Sequence, residues 1–193
     1  VTLRRRKVLG NISNSSKEYV RDISFSGDSK YCVILATSSS SNSSLVADYV
    51  CTFWSIEKNT HVVSTTSVVN PCGKPIHRVS ISPLDSSLVF ISGGGGMLRM
   101  LRVVDAHFRN ITLSDSNTNV ARENFDFLCH QWLPTENSVF LGADNECISM
   151  VSSLEVKNCF QSTSVNKIMS IVATPSGLYI GLSSGSIDFY EFM

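Results

Sequence analysis

The sequence has no run of about 18 consecutive apolar residues, the length a membrane-crossing helix needs, so no such span is expected. It has no C-x-x-C pair among its 6 cysteines, and zinc sites are built from ligands paired at short spacing. It has no surplus of either charge: 16 Lys and Arg balance 16 Asp and Glu. Domains that bind polyanions carry a marked basic excess, so no nucleic acid is expected. No apolar segment follows the basic start at Val1 to Leu9, so a secretory signal is not expected either. Val1 rather than Met opens the chain, and an upstream segment is expected for that reason.

What is present points to a folded domain. Hydrophobic residues make up 42% of 193 positions and charged residues 17%, too apolar for a disordered chain. A chain of this size buries roughly 70% of its unfolded surface. The neutral, serine-rich surface is weakly protected by charge repulsion and suits a larger assembly. Cysteines lie inside strand-like runs such as Tyr31-Cys32-Val33-Ile34, where free thiols act as small hydrophobes. Reduced core thiols and a cytosolic compartment are expected for Cys32, Cys51, Cys72, Cys129, Cys147 and Cys159. Four N-x-[ST] triplets occur, at Asn11, Asn14, Asn42 and Asn110, which so common a serine produces by chance.

A repeat runs along the chain. It consists of an apolar strand, a turn, and a second apolar strand ending in a small residue. The copies are Val20 to Phe25 with Tyr31 to Ala36, and His77 to Ile81 with Leu88 to Ile91 and Gly93. Then come Phe127 to Trp132 with Val139 to Gly142, and Ile168 to Ala173 with Leu178 to Gly181. The turn residues Gly27, Pro83, Pro134 and Pro175 are 56, 51 and 41 residues apart. Blades of WD-type propellers repeat at about 40–45 residues, with longer copies carrying insertions such as the serine tract Ser38 to Ser44, read here as a mobile loop. Proline pre-sets φ for each turn, and the flanking runs alternate or are wholly apolar.

Each copy is followed by further strands: Tyr49 to Ile56 and His61 to Val69, Met97 to Val104 and Phe108 to Leu113, Cys147 to Val151 and Leu154 to Phe160. The last copy ends with Ile187 to Phe192. Four strands per unit make a propeller blade. The predicted fold is therefore all-β, a WD-type β-propeller of about four degenerate blades, part of a larger or incomplete ring. Its units are an outer strand of a preceding blade over 1–13 (Arg6 to Ile12), blades over 14–70, 71–120 and 121–164, and a partial blade over 165–193. An incomplete ring exposes an apolar blade face. The W-D positions are degenerate, reading Phe53-Trp54-Ser55, Val103-Val104-Asp105 and Tyr190-Glu191, and the Gly-His dipeptide is absent. The Asp-His-Ser/Thr-Trp hydrogen-bond network of strong repeats therefore cannot be assumed.

Several segments resemble the cilia- and flagella-associated WD-repeat proteins, and one member of that series in particular. They are Arg5-Arg6-Lys7-Val8-Leu9, Asn70-Pro71 with Pro75-Ile76-His77, Val79 to Asp85, Gly96 to Arg102, Phe127-Leu128-Cys129-His130-Gln131-Trp132, and Leu141-Gly142-Ala143-Asp144. The resemblance covers nearly the whole chain but one region of such a protein. It implies a non-enzymatic scaffold of the ciliary or flagellar axoneme, associated with doublet microtubules and inner dynein arm placement. Its partners would be proteins: dynein arm components, tubulin, and other WD-repeat or coiled-coil proteins. No cofactor and no membrane are implied.

The chemistry-bearing residues read as structural. Cys129 and His130 are strand neighbours and point to opposite faces, which argues for packing or hydrogen bonding over a nucleophile pair. His61, His77 and His107 are dispersed. Gly93 to Gly96 lacks the Lys-Ser/Thr of a phosphate loop and reads as a flexible connection between strands. Trp54 and Trp132 read as core. The one basic cluster, Arg4, Arg5, Arg6 and Lys7, is the candidate contact for an acidic partner, against the alternative of a charged strand edge that resists pairing. The rival readings of function are a general cytosolic WD-repeat adaptor, and a propeller enzyme or secreted lectin.

Overall fold

The computed structural model describes residues 19–38, 48–57, 60–115, 122–161 and 166–192. The basic cluster Arg4 to Lys7, the strand expected over 6–12 and the serine tract beyond Ser38 lie outside the described residues.

Among the described residues, sixteen strands form four sheets. The first contains β1 (Tyr19–Phe25), β2 (Tyr31–Ser38), β3 (Asp48–Ser55) and β4 (His61–Val68) in that order. The second contains β5 (Ile76–Ile81), β6 (Leu88–Gly93), β7 (Leu98–Val104) and β8 (His107–Ile111). The third contains β10 (Phe127–Trp132), β11 (Val139–Ala143), β12 (Cys147–Ser152) and β13 (Glu155–Gln161). The two-residue β9 (Ser114–Asp115) joins β13 in parallel, so the chain leaving the second sheet touches the outer edge of the third before entering it. The last sheet has β14 (Ile168–Thr174), β15 (Gly177–Leu182) and β16 (Ile187–Glu191). All other pairings are antiparallel between sequence neighbours, the up-and-down meander of a propeller blade.

The four inner strands share one local defect. Each has a register shift that leaves a single residue out of the ladder: Arg21 in β1, His77 in β5, Leu128 in β10 and Met169 in β14. Each of these lies six residues before its turn residue, Gly27, Pro83, Pro134 or Pro175. A bulge at this place bends and twists the inner strand. Its recurrence shows that the four units are copies of one design despite sharing few side chains.

The bulge also fixes which side chains look toward the neighbouring sheet. In β5, Ile76, Val79 and Ile81 look back at the first sheet and join Val33, Leu35, Cys51 and Phe53 in one core. In β10, Phe127 and Trp132 look back at Phe90 and Met100 of the second sheet. In β14, Ile168 and Ile171 look back at Cys129, Phe140 and Ile148 of the third. The core is thus a series of layers, one per junction. Each buried aliphatic or aromatic side chain stabilises by roughly 1.5–3 kcal/mol. A smaller cluster of Cys32, Ile34 and Trp54 lies on the other side of the first sheet. Both tryptophans are buried, as expected of core residues.

Candidate functional site

The first junction is tied by polar groups of β1. Among the described residues no strand pairs with the inner edge of β5. Its amides at Val79 and Ile81 instead donate to Asp22 Oδ2 at 2.9 Å and Ser24 Oγ at 3.2 Å. Arg78 adds an ion pair to the same carboxylate at 3.3 Å.

The second junction carries a buried polar network. His130 and Trp132 stand on the same face of β10, two residues apart, because side chains on a strand alternate. Ser80 of β5 places Oγ 2.6 Å from His130 Nε2 and accepts the indole N–H of Trp132 at 2.8 Å. Ser92 of β6 places Oγ 2.7 Å from His130 Nδ1. Phe90 meets both rings edge to face, with centroids 5.1 Å from His130 and 6.1 Å from Trp132. Burial holds the His130 pKa down to about 3, with the nearby Arg78 charge acting in the same direction. The imidazole is neutral, so one ring nitrogen donates and the other accepts. A Ser80 hydroxyl that donates to Nε2 leaves Nδ1–H to donate to Ser92, which gives every group one complementary role.

A His–Ser–Trp network is present, with partners that come from two sheets and from none of the Gly-His or W-D positions. The pairing of a serine with a histidine has the look of a nucleophile and base. Here the serine oxygen is already capped by Trp132, and the imidazole is enclosed and too weakly basic to take a proton near neutral pH. The network holds two sheets in register, in line with the packing role expected of His130.

The glycine run corrects the reading of a flexible connection. Gly93 to Gly96 is buried and fastened on every amide. Gly93 N donates to Met97 O at 2.9 Å, Gly94 N to Pro75 O at 2.8 Å, Gly95 N to Asp126 Oδ1 at 2.9 Å and Gly96 N to Phe125 O at 2.7 Å. Asn70 Nδ2 donates to Gly94 O at 2.9 Å and to Lys74 O at 2.8 Å. The run is a clamp between the second and third sheets rather than a flexible connection. Glycine is required where Gly96 has φ +70 and a Cβ would fall 2.3 Å from Arg122 O. With its amides consumed, the run has none to offer a phosphate. Asp126 completes the clamp: its amide donates to Asp144 Oδ1 at 3.0 Å, and Asp144 N donates to its carbonyl at 2.9 Å.

The dispersed histidines stay dispersed, and among the described residues no group of three His, Cys, Asp or Glu could hold a metal ion. Cys32, Cys51, Cys129 and Cys147 are buried free thiols, and burial pushes Cys51 and Cys129 up to about 12. Cys72 is exposed, which corrects its expected place in the core. Asn110 is exposed on β8. Among the described residues no helix is long and apolar enough to cross a membrane.

Among the described residues, exposed apolar side chains stand on β1 of the first sheet and across the last sheet. Val20, Ile23 and Phe25 occupy the positions on β1 that Ile76, Val79 and Ile81 occupy on β5. The β5 set is buried, whereas Phe25 is 57% exposed and Val20 61%. At the other end, Val172, Tyr179 and Phe189 stand side by side across β14, β15 and β16. Tyr179 is 45% exposed, whereas its counterparts Phe90 and Phe140 on β6 and β11 are buried. Around the rim, a cleft of about 560 Å³ opens between the second and third sheets, floored by Leu88, Met100 and Ile111 with Glu136 and Leu154 beside it.

No family model matches the chain. It is 31% identical over 144 residues to the "Cilia- and flagella-associated protein 57" of Mus musculus, covering 75% of this chain and 10% of that protein. The chain therefore spans about a tenth of the length of that curated relative. Among solved structures, it matches the Cps50 (Swd1) β-propeller domain of Myceliophteria thermophila with a TM-score of 0.62 at 8% identity, over 90% of this chain and 52% of that one. The Dos1 propeller matches with a TM-score of 0.67 at 13% identity, over 92% and 42%. The computationally designed Ika4 protein matches with a TM-score of 0.63 at 10% identity, over 93% and 95%. These three show the fold alone, a β-propeller. With the sheets, their order and the mouse relative in agreement, the chain is a propeller segment of the cilia- and flagella-associated WD-repeat protein family.

Proposed function

We propose that this chain is a non-enzymatic, protein-binding scaffold segment of the ciliary or flagellar axoneme, associated with doublet microtubules and the placement of inner dynein arms. The observation that carries the reading is the 31% identity to a cilia- and flagella-associated protein over 75% of the chain. The fold suits the role. Side chains and backbone amides are spent on tying sheets together, which leaves a stiff support with exposed rims and ends for partners. Its partners are dynein arm components, tubulin, and other WD-repeat or coiled-coil proteins. Arg4, Arg5, Arg6 and Lys7 supply the contact to an acidic partner such as a tubulin tail. The blade units run over 14–70, 71–120 and 121–164, with the partial blade over 165–193.

The test is localisation of the tagged chain in ciliated cells before and after detergent extraction and salt washing. Retention on the doublets supports the scaffold. Release at moderate salt assigns the attachment to the basic cluster, since exposed charge pairs are screened within a Debye length of about 8–10 Å. A soluble pool absent from cilia overturns the reading and favours a general cytosolic adaptor.

A further inference from the structure

We propose that the rim cleft between the second and third sheets takes a bulky apolar side chain from an extended segment of a partner protein, with a Lys or Arg beside that side chain paired to Glu136. Two junctions of the same chain differ in a way that points to this. At the first junction the outer corner is filled. Tyr31 stacks on Phe53 with ring centroids 5.2 Å apart, and Phe108 meets Phe53 edge to face at 6.3 Å. Phe108 and its cross-strand partner Val103 belong to the β7–β8 hairpin of the following sheet and pack against the core of the first junction.

At the second junction the same corner is empty. Leu88 opens β6 as Tyr31 opens β2, and Met100 pairs with Phe90 as Phe53 pairs with Val33. The hairpin facing them is cut short. Val89 and Val139 are equivalent, since they pair with Ile81 and Trp132 at the ends of the two inner strands. Beyond Leu101, the partner of Val89, β7 runs on to Val104 before its turn at Asp105 and Ala106. Beyond Val151, the partner of Val139, β12 reaches only Ser152 before its turn at Ser153 and Leu154. The place that Val103 and Phe108 fill one sheet earlier therefore has no occupant from the third sheet. What remains is the cleft of about 560 Å³ over Leu88, Met100 and Ile111, a void that close packing seldom leaves.

Both walls of the cleft are pinned, so it does not close by collapse. On one side Ser82 Oγ donates to Asn137 Oδ1 at 2.6 Å. On the other, the amide and hydroxyl of Ser114 donate to Leu154 O at 2.9 and 3.3 Å. Leu154 stands at the mouth, 45% exposed, with φ +65, where a tight hairpin turn favours glycine or asparagine. Ala106 holds the matching place in the β7–β8 turn. Floor and mouth are thus apolar. Of the two charged lining residues, Arg102 is already paired with Asp85 at 3.2 Å, and Glu136 has no ion pair among the described residues. These features choose the occupant. Phe108 is the internal template, an apolar side chain carried on an extended strand, and the unpaired carboxylate selects a basic neighbour. The proposal rests on the reading of the chain as a protein-binding scaffold, and not on its place in a cilium.

The experiment selects random peptides displayed on phage against the purified full chain, then titrates one selected peptide, fluorescein-labelled, by fluorescence polarisation. The expected selection shares a Phe, Trp or Leu next to a Lys or Arg. Leu154→Gly removes the apolar mouth, so it is expected to weaken binding by about tenfold. The same change relieves the left-handed backbone, so Tm does not fall and the loss is not one of folding. Glu136→Lys is expected to weaken binding by about fivefold, and a peptide with Glu in the basic place recovers it. Both positions are exposed, and circular dichroism checks that each variant keeps its strand content. A selection without a shared motif overturns the proposal, as does an acidic residue in the basic place. A selected peptide that binds both variants as it binds the wild type overturns it too. So does a chain mass that doubles with concentration and that Leu154→Gly returns to single, which makes a second copy the occupant. None of these measurements needs cilia, so a failure here leaves the localisation result standing.

Discussion

Ser80 and His130, fifty residues apart in sequence, meet at 2.6 Å between Oγ and Nε2 across the junction of the second and third sheets. The same oxygen accepts the indole N–H of Trp132 at 2.8 Å, so one hydroxyl serves two aromatic side chains of the next sheet. Ser80→Ala leaves a buried N–H of Trp132 and a buried ring nitrogen of His130 unpaired. The expected loss is about 2–3 kcal/mol in urea unfolding, because stranded buried polar groups forfeit their hydration as well as their bond. In a Trp132→Phe background the same substitution costs about 1 kcal/mol less, since one of the two orphans is gone. Equal costs in both backgrounds would show that the indole bond contributes nothing.

Acid weakens this fold partly through His130. Burial lowers its folded pKa to about 3 from an ordinary value of 6.5. Below pH 6.5 the unfolded chain takes up a proton that the folded chain refuses. Stability therefore falls as pH drops from about 6.5 toward 3, by about 1 kcal/mol per pH unit for one such group. His77 is lowered in the same direction, chiefly by burial, and adds to the trend. Replacing His130 by Asn gives a less stable chain whose stability falls more gently over that range. Unfolding midpoints from pH 7 to pH 4 measure it, and parallel curves for the two proteins would remove His130 from the account.

Much of the architecture could be read from the chain because each strand pair has its own local pattern: apolar runs, a proline or glycine turn, and a second apolar run. Phe127 to Trp132 and Ile168 to Thr174 are strands where alternation placed them. The polar network was hidden for a reason of distance. His130 and Trp132 share a face, but their partners Ser80 and Ser92 are two serines among many, on strands selected only by the tertiary fold. The shared bulge was hidden for a reason of chemistry: Arg21, His77, Leu128 and Met169 have nothing in common except their place. Gly93 to Gly96 has the composition of a flexible loop. Only Pro75, Asp126 and Phe125, brought up from other segments, make it a clamp.

That clamp separates two costs of replacing glycine. Gly96 has φ +70 and its Cβ would strike the Arg122 carbonyl, whereas Gly185 has φ +87 with open space around the same atom. Gly185→Ala is expected to cost about 1–2 kcal/mol, the strain of a left-handed backbone alone. Gly96→Ala adds displacement of a packed backbone, bringing its loss to about 3–4 kcal/mol. Thermal unfolding of the two variants compares them directly, and equal losses would mean that the turn around Arg122 moves aside freely.

Thiol labelling tests the layered core at single positions. Cys72 is exposed, with Sγ 3.6 Å from Gly95 O, so of these five described cysteines, Cys32, Cys51, Cys72, Cys129 and Cys147, it is the one expected to react first with iodoacetamide in the native protein. Cys51 and Cys129 are shielded twice: solvent is excluded, and burial pushes their pKa up to about 12, leaving little thiolate. Cys32 and Cys147 are buried and raised in the same direction. Peptide mass spectrometry is expected to find Cys72 modified in native buffer and these four only when denaturant is added. Cys51 belongs to the first junction and Cys129 to the third, so their order of labelling at low denaturant reports which junction opens first. Cys129 is expected to lead. Its sheet is followed by a three-stranded one whose far face is open, whereas Cys51 lies between two four-stranded sheets. Labelling of both at the rate of Cys72 in native buffer would contradict the burial of these junctions.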